Sequence, residues 1–252
     1  MEGKLLYCAG GTAALRYAAE YLRRFGAEIA DHPGMDVGAL LLDVPSFGAD
    51  GRLRCGGSVG KLLAQLPAGV SVFGGNLDHP ALEGYRTVDF LKDARYLAEN
   101  AYITAECALE IALSYLPLTL RNCPVLVIGW GRIGKCLGQL LKVLGADVTI
   151  AARKETDRAM IQALGHRAVD TGKLTDVLGR CRLIFSTAPE PILDRDQMSE
   201  CHPDCVKIEL ASKTGIAGDD VVIARGLPGV HMPESSGKLI AETFIRLCKE
   251  DL

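Results

Sequence analysis

The sequence predicts an α/β chain of two parallel-sheet domains, the smaller one first. Short apolar runs alternate with stretches of helical periodicity from end to end, a glycine-rich turn joins a strand to a helix in the second half, and asparagine and proline punctuate the chain between the halves.

In the first half the apolar run Lys4–Ala9 reads as a strand. It passes through Gly10-Gly11 into Thr12–Phe25, where Leu15, Ala18, Ala19 and Leu22 recur at helical spacing and Thr12 is the expected N-cap. Gly10-Gly11 stands where a nucleotide-binding turn would stand but lacks the three-glycine spacing, so it reads as a tight strand-to-helix turn. Strands are expected at Ala39–Val44 and Val70–Phe73, separated by the turn Gly48–Gly51 and a helix over Val59–Leu66. Residues 1–99 are thus expected to form a small flavodoxin-like α/β domain on the substrate side. Ala105, Leu109, Ala112 and Leu116 then mark a linking helix within residues 100–120, with the boundary placed between Pro117 and Asn122.

The second half carries the most specific pattern. Val125–Ile128 suits a strand buried on both faces, and Gly129-Trp130-Gly131-Arg132-Ile133-Gly134 follows it directly. Leu137, Leu140, Leu141 and Leu144 carry a helical stripe as far as Gly145, and Asp147–Ala151 resumes as a strand, which completes a βαβ unit of about 30 residues. In such a unit the first glycine makes the turn, the second lets backbone approach a pyrophosphate, and the third lets the helix pack on the strand. The helix N-terminus offers its N–H groups to the phosphates. Residues 121–237 are therefore expected to be a Rossmann doubly wound parallel sheet that binds a dinucleotide. Where NAD-binding proteins place an acid after the second strand, this chain has Arg153 and Lys154, which favours the 2′-phosphate of NADP.

Further strands are expected at Leu183–Phe185, Val206–Leu210 and Val221–Ala224. Ligands of open parallel sheets gather beyond the C-terminal strand ends, so Thr187, Ala188, Pro189, Ser212 and Lys213 join the cofactor candidates. The stretch Arg225–Gly237, with Pro228, Pro233 and three glycines, reads as a shaped loop, and residues 238–252 as a final helix that packs back on the first domain.

Composition excludes several classes. A formal net charge of -3 and a pI near 6.0 argue against a nucleic-acid partner. No run reaches the roughly 18 apolar residues of a membrane span, and the N-terminus lacks a secretory pattern, so a soluble cytoplasmic protein is expected. Nine cysteines, an odd number, read as reduced small hydrophobes. Cys201-His202-Pro203-Asp204-Cys205 could clip a metal, but no second cluster completes a tetrahedral set, and no metal is expected.

On Gly226-Leu227-Pro228-Gly229 with Pro233 and Gly237, the glycine fingerprint with Arg153, and Asn100, Thr104 and Glu106 on the linking helix, the chain resembles the family of NADP-binding dipicolinate synthase subunits. Ala9-Gly10-Gly11 and Leu41–Pro45 are also similar, whereas Ile103 and Cys107 stand where relatives tend to have Pro and Gly. The resemblance implies an NADP-dependent dehydrogenase of sporulation, which forms dipicolinate (pyridine-2,6-dicarboxylate) from dihydrodipicolinate or its hydroxylated precursor. It also implies an oligomer that works with the second, flavoprotein-like subunit of dipicolinate synthase. Glu106 and His231 are the candidate bases, the first on the linking helix and the second because imidazole chemistry suits proton transfer. Asn100, Thr104, Arg225 and Gly229 are candidates for the substrate, and Arg52, Arg54 and Lys213 are further cations for a dicarboxylate. Two other readings stay open: a 2-hydroxyacid-dehydrogenase-like enzyme, and a non-catalytic NADP-binding subunit.

Overall fold

The computed structural model describes residues 5–250 and divides into two compact units. Lys4, expected in the first strand, and Asp251 and Leu252, expected in the final helix, lie outside the described residues. One unit comprises the chain up to Asn100 together with residues from Pro228 onward; the other runs from Ala101 to Leu227.

In the first unit β1 (Leu5–Ala9), α1 (Ala13–Arg24), β2 (Ile29–Ala30), β3 (Val37–Leu42), α2 (Val59–Leu63), β4 (Ser71–Gly74) and β5 (Thr87–Asp89) build a five-stranded sheet with its helices. Its strands are all parallel, in the order β2-β1-β3-β4-β5, which is the flavodoxin-like order. Leu40 and Leu42 are fully buried on β3, where they meet Val59, Leu63 and Val72 in one apolar cluster. The expected strands and helices are found, with α2 ending three residues early and β3 beginning two residues before Ala39.

Helix α3 (Ala94–Tyr115) is one unbroken element that begins six residues before the expected start. Asp93 sets this start, because its carboxylate accepts the N–H of Tyr96 at 2.7 Å. Ile103 and Cys107 lie inside the helix, where Cys107 is fully buried.

The second unit contains β6 (Pro124–Ile128), α4 (Arg132–Val143), β7 (Asp147–Ala151), α5 (Glu155–Ala163), β8 (Arg167–Val169), α6 (Thr175–Leu178), β9 (Leu183–Ser186), α7 (Arg195–Ser199), β10 (Val206–Glu209) and β11 (Val221–Ile223). The sheet is parallel throughout, in the order β11-β10-β9-β6-β7-β8. Numbered within the unit, that is the 3-2-1-4-5-6 order of a dinucleotide-binding Rossmann fold. Its central strands are buried on both faces: Leu126, Val127 and Ile128 of β6 and Leu183, Ile184 and Phe185 of β9 are closed to solvent.

One expectation is corrected here. The stretch 225–237 is largely helical: α8 (Pro228–His231) is followed by α9 (Pro233–Glu250). Both prolines open a helix, where the missing N–H would have had no intrahelical partner and the fixed φ suits the first turn. Gly237 is inside α9, and a Cβ there would press on the Ala14 carbonyl oxygen and on Tyr17 of α1. This glycine thus serves a close helix crossing rather than a bend. The expected division at residue 237 falls inside α9, and the structure divides the chain after Leu227. Phe244 of α9 packs edge-on against Phe73 of β4, with ring centroids 4.7 Å apart.

Candidate functional site

The turn from β6 to α4 is built from its three glycines. Gly129 has a φ of 108°, in the region that L side chains avoid, and a Cβ there would meet the Thr187 hydroxyl. A Cβ on Gly134 would collide with the Gly129 carbonyl oxygen, so this position lets α4 start close under the strand end. Gly131 differs from both. Nothing lies within 4 Å of a Cβ built on it, so the space above it belongs to the cleft. Gly131 is also the N-cap of α4 and supplies no side-chain cap, which leaves the N–H groups at Arg132, Ile133 and Gly134 to meet an anion.

A cleft of about 500 Å³ opens over this turn. Gly129, Trp130 and Gly131 form one side, Ala151, Ala152, Arg153, Lys154 and Asp157 a second, and Thr187, Ala188, Pro189, Glu190, Pro191 and Ile192 the third, with Thr171 and Gly172 beside β8. The volume, the open glycine and the uncapped helix suit a nicotinamide dinucleotide, whose pyrophosphate would lie over Gly131. Trp130 is half-buried; His166 meets its ring edge-on, and the Lys135 ammonium lies 5.7 Å from its centroid. Burial and the nearby Lys142 push His166 below the ordinary histidine range.

Arg153 and Lys154 are exposed at the end of β7. Arg153 pairs with Glu190 at 3.2 Å. Arg158, one turn into α5, donates to the carbonyls of Ala152 and Arg153 and pairs with Asp170, which fixes the backbone under the cation. Neither Arg158 nor Glu190 stands out in the sequence, because each acts on Arg153 through the folded chain. On the third side Thr187 is tied to the strand end, its N–H and hydroxyl both donating to the Ile128 carbonyl.

The structure therefore brings Gly129, Trp130, Gly131, Arg153, Lys154, Thr187, Ala188 and Pro189 to one cleft. Arg132, Ile133 and Gly134 form the first turn of α4 behind it. Ser212 and Lys213 do not line this cleft; they are exposed beyond β10, two strands away from β6. Their loop is shaped by Glu209, a fully buried carboxylate that accepts the N–H groups of Ala211, Gly215 and Ile216. Arg225 fastens the same loop through the Ala211 carbonyl and the Thr214 hydroxyl.

On α3, Asn100 is half-buried, Thr104 is buried and Glu106 is exposed. His231 is exposed at the end of α8, whose residue Gly229 is half-buried. Arg52 and Arg54 are exposed in the loop after β3, Arg52 near Asp50. The Cys201–Cys205 segment is occupied with local bonds: the His202 ring accepts the Asp204 N–H, and both thiols reach backbone carbonyls. Among the described residues the cysteines form no disulfide, and burial raises Cys8 and Cys205 to about 12. Among the described residues no helix is long and apolar enough to cross a membrane.

The D-isomer specific 2-hydroxyacid dehydrogenase, NAD binding domain family matches residues 94–222. Dipicolinate synthase A of Bacillus subtilis is 27% identical over 159 residues, which are 60% of this chain and 54% of that protein, so the match spans about half of the relative's length. Two solved structures share the fold over nearly the whole chain. Dipicolinate synthase A from Bacillus halodurans superposes with a TM-score of 0.86 at 21% identity, covering 97% of each chain. The corresponding structure of dipicolinate synthase from Bacillus subtilis gives 0.82 at 22% identity, covering 99% of this chain and 97% of that one. With its fingerprint and open cleft inside the matched segment, the chain belongs to the D-isomer specific 2-hydroxyacid dehydrogenase NAD-binding domain family.

Proposed function

We propose that this chain is an NADP-dependent dehydrogenase that forms dipicolinate from dihydrodipicolinate or its hydroxylated precursor, as one component of a dipicolinate synthase. The observation that carries the cofactor choice is the pair Arg153 and Lys154 on the wall of the cleft that holds the glycine turn. A guanidinium makes charge-assisted, bidentate bonds to a phosphate, and the position after β7 is where a 2′-phosphate is read. The substrate rests on the relatives named dipicolinate synthase.

The bound dinucleotide supplies a hydride acceptor. The N–H groups of the first turn of α4 hold its pyrophosphate, and Gly131 leaves room for it. Arg153 and Lys154 orient the adenosine end, with the Arg158–Asp170 clasp holding that turn. Oxidation of a ring C–H or N–H also releases a proton, and Glu106 and His231 are the candidate acceptors. Lys213 and Arg225 supply cations for the substrate carboxylates, with Asn100, Thr104 and Gly229 as further candidate contacts. A flavoprotein-like second component and a homo-oligomeric assembly complete the proposal.

The test is NADPH formation from freshly generated dihydrodipicolinate, with the purified chain alone and with the flavoprotein-like component. Turnover in either case is expected; NADP binding without turnover in both would overturn the substrate. Arg153→Ala is expected to weaken NADP more than about tenfold while sparing NAD, and an equal loss for both would remove its role at the 2′-phosphate. The family match supports one alternative, oxidation of a 2-hydroxy acid, which a panel of such acids assayed with NAD and NADP would reveal.

A further inference from the structure

Arg153 meets a carboxylate at the rim of the cleft. Its Nη1 donates to both oxygens of Glu190, at 3.2 and 3.5 Å. Glu190 comes from the loop after β9, 37 residues further along the chain, and both residues line the cleft that carries the glycine turn.

The two charges are held facing each other from separate anchors. Glu190 stands between Pro189 and Pro191; each ring fixes its own φ, and Pro191 also restricts Glu190 itself. Just beyond, the N–H groups of Ile192 and Leu193 both donate to the Gly215 carbonyl, which pins the far side of this loop. Under Arg153, the Arg158 guanidinium holds the carbonyls of Ala152 and Arg153 at 2.9 and 2.6 Å. Both paired side chains are well exposed, at 72% and 62%, and a pair so open to water adds little to stability. Its significance lies in what enters the cleft beside it.

We infer that Glu190 sets the cofactor preference of this site by competing with the 2′-phosphate for Arg153. The inference rests on the reading of Arg153 as the partner of that phosphate. A phosphate dianion beside the Glu190 carboxylate is repelled, so it must displace Glu190 before Arg153 can grip it. A ribose 2′-hydroxyl carries no charge and can donate to the same carboxylate with the ion pair intact. Glu190 thus holds NADP affinity below what Arg153 and Lys154 would otherwise reach and gives NAD a foothold. The acid that is absent after β7 is supplied from the loop after β9 instead.

The test is calorimetric titration of the full chain with NADP+ and with NAD+, for the wild type, Glu190→Gln and Arg153→Ala. Glu190→Gln is expected to tighten NADP+ about three- to tenfold, an effect that shrinks as salt screens the exposed charges, with NAD+ unchanged or weaker. Unchanged or weaker NADP+ binding, or an equal gain for both cofactors, would overturn the role of Glu190. A wild type that does not favour NADP+ and an Arg153→Ala that changes nothing would overturn the underlying reading. A preference that is lost in Arg153→Ala but unmoved in Glu190→Gln would defeat the inference about Glu190 alone.

Discussion

Two strand-to-helix turns in this chain begin alike and end differently. Both follow the first strand of a parallel sheet, both use glycines, and both deliver the chain into a twelve-residue helix. At the turn between β1 and α1, however, Asp43 reaches in from the end of β3. Its carboxylate accepts the N–H groups of Gly11 and Thr12 at 3.0 and 3.3 Å and the Thr12 hydroxyl at 2.5 Å, while Thr12 caps α1 through the Leu15 N–H. Asp43 is 1% exposed. The anion-binding end of α1 is therefore filled by the protein's own carboxylate. At the turn between β6 and α4 no side chain caps the helix, and the space over Gly131 is open. Glycines make a close turn feasible in both places; what separates a fastening from a ligand site is whether the protein supplies the anion itself.

Substitutions at the two turns sharpen that contrast. The largest effect is expected from Gly134→Val, whose side chain has no room beside the Gly129 carbonyl; NADP affinity should fall by about a hundredfold or more, read by calorimetric titration. Retained affinity would mean that α4 does not present its first turn to the cofactor. Next comes a matched pair. Gly131→Ala should weaken NADP about tenfold and leave the melting temperature within about 2 °C, because its methyl group fills only the space over the turn. Gly10→Ala should do the reverse, since its methyl group would press on Leu15 and the Asp43 carboxylate; a stability loss of about 1–3 kcal/mol is expected in denaturant titration, with NADP affinity retained by the folded protein. If the two variants exchanged phenotypes, the distinction between the turns would collapse. Asp43→Asn is expected to act in the same sense as Gly10→Ala and more mildly, by about 1–2 kcal/mol, because the amide keeps one acceptor for the N–H groups at the start of α1. A variant as stable as the wild type would show that Asp43 does not fasten this turn.

The glycine fingerprint was legible because each of its parts leaves a sequence signal: an apolar strand in Val125–Ile128, glycines at fixed spacing, and the Leu137–Leu141 stripe that α4 buries. The plainness of Gly10-Gly11 was legible for the same reason, through the spacing it lacks, although Asp43 could not be foreseen as its occupant from 32 residues away. The stretch 225–237 departs from the loop its composition suggests because proline and glycine mark loops only on average; here the prolines open helices and Gly237 sits where two helix backbones nearly touch. Short strands left little trace. β2 has two residues, and β5 and β8 three each, none of them fully buried, too few to display an alternation. Glu190 was invisible as a partner of Arg153 for a different reason: an exposed glutamate between two prolines has no signature until the fold brings the loops after β7 and β9 together.

The return of α9 to the first unit bears on how the chain is made. Gly237 crosses tightly over α1, Phe244 closes on Phe73, and Arg246 pairs with Asp93 at 2.6 Å, so the first unit needs side chains that are translated after residues 101–227. Residues 101–227 form a continuous segment that can assemble as soon as it leaves the ribosome. Strands β1 to β5 must therefore wait until residues 101–227 have been made, and the unit that begins to emerge before the other is completed after it.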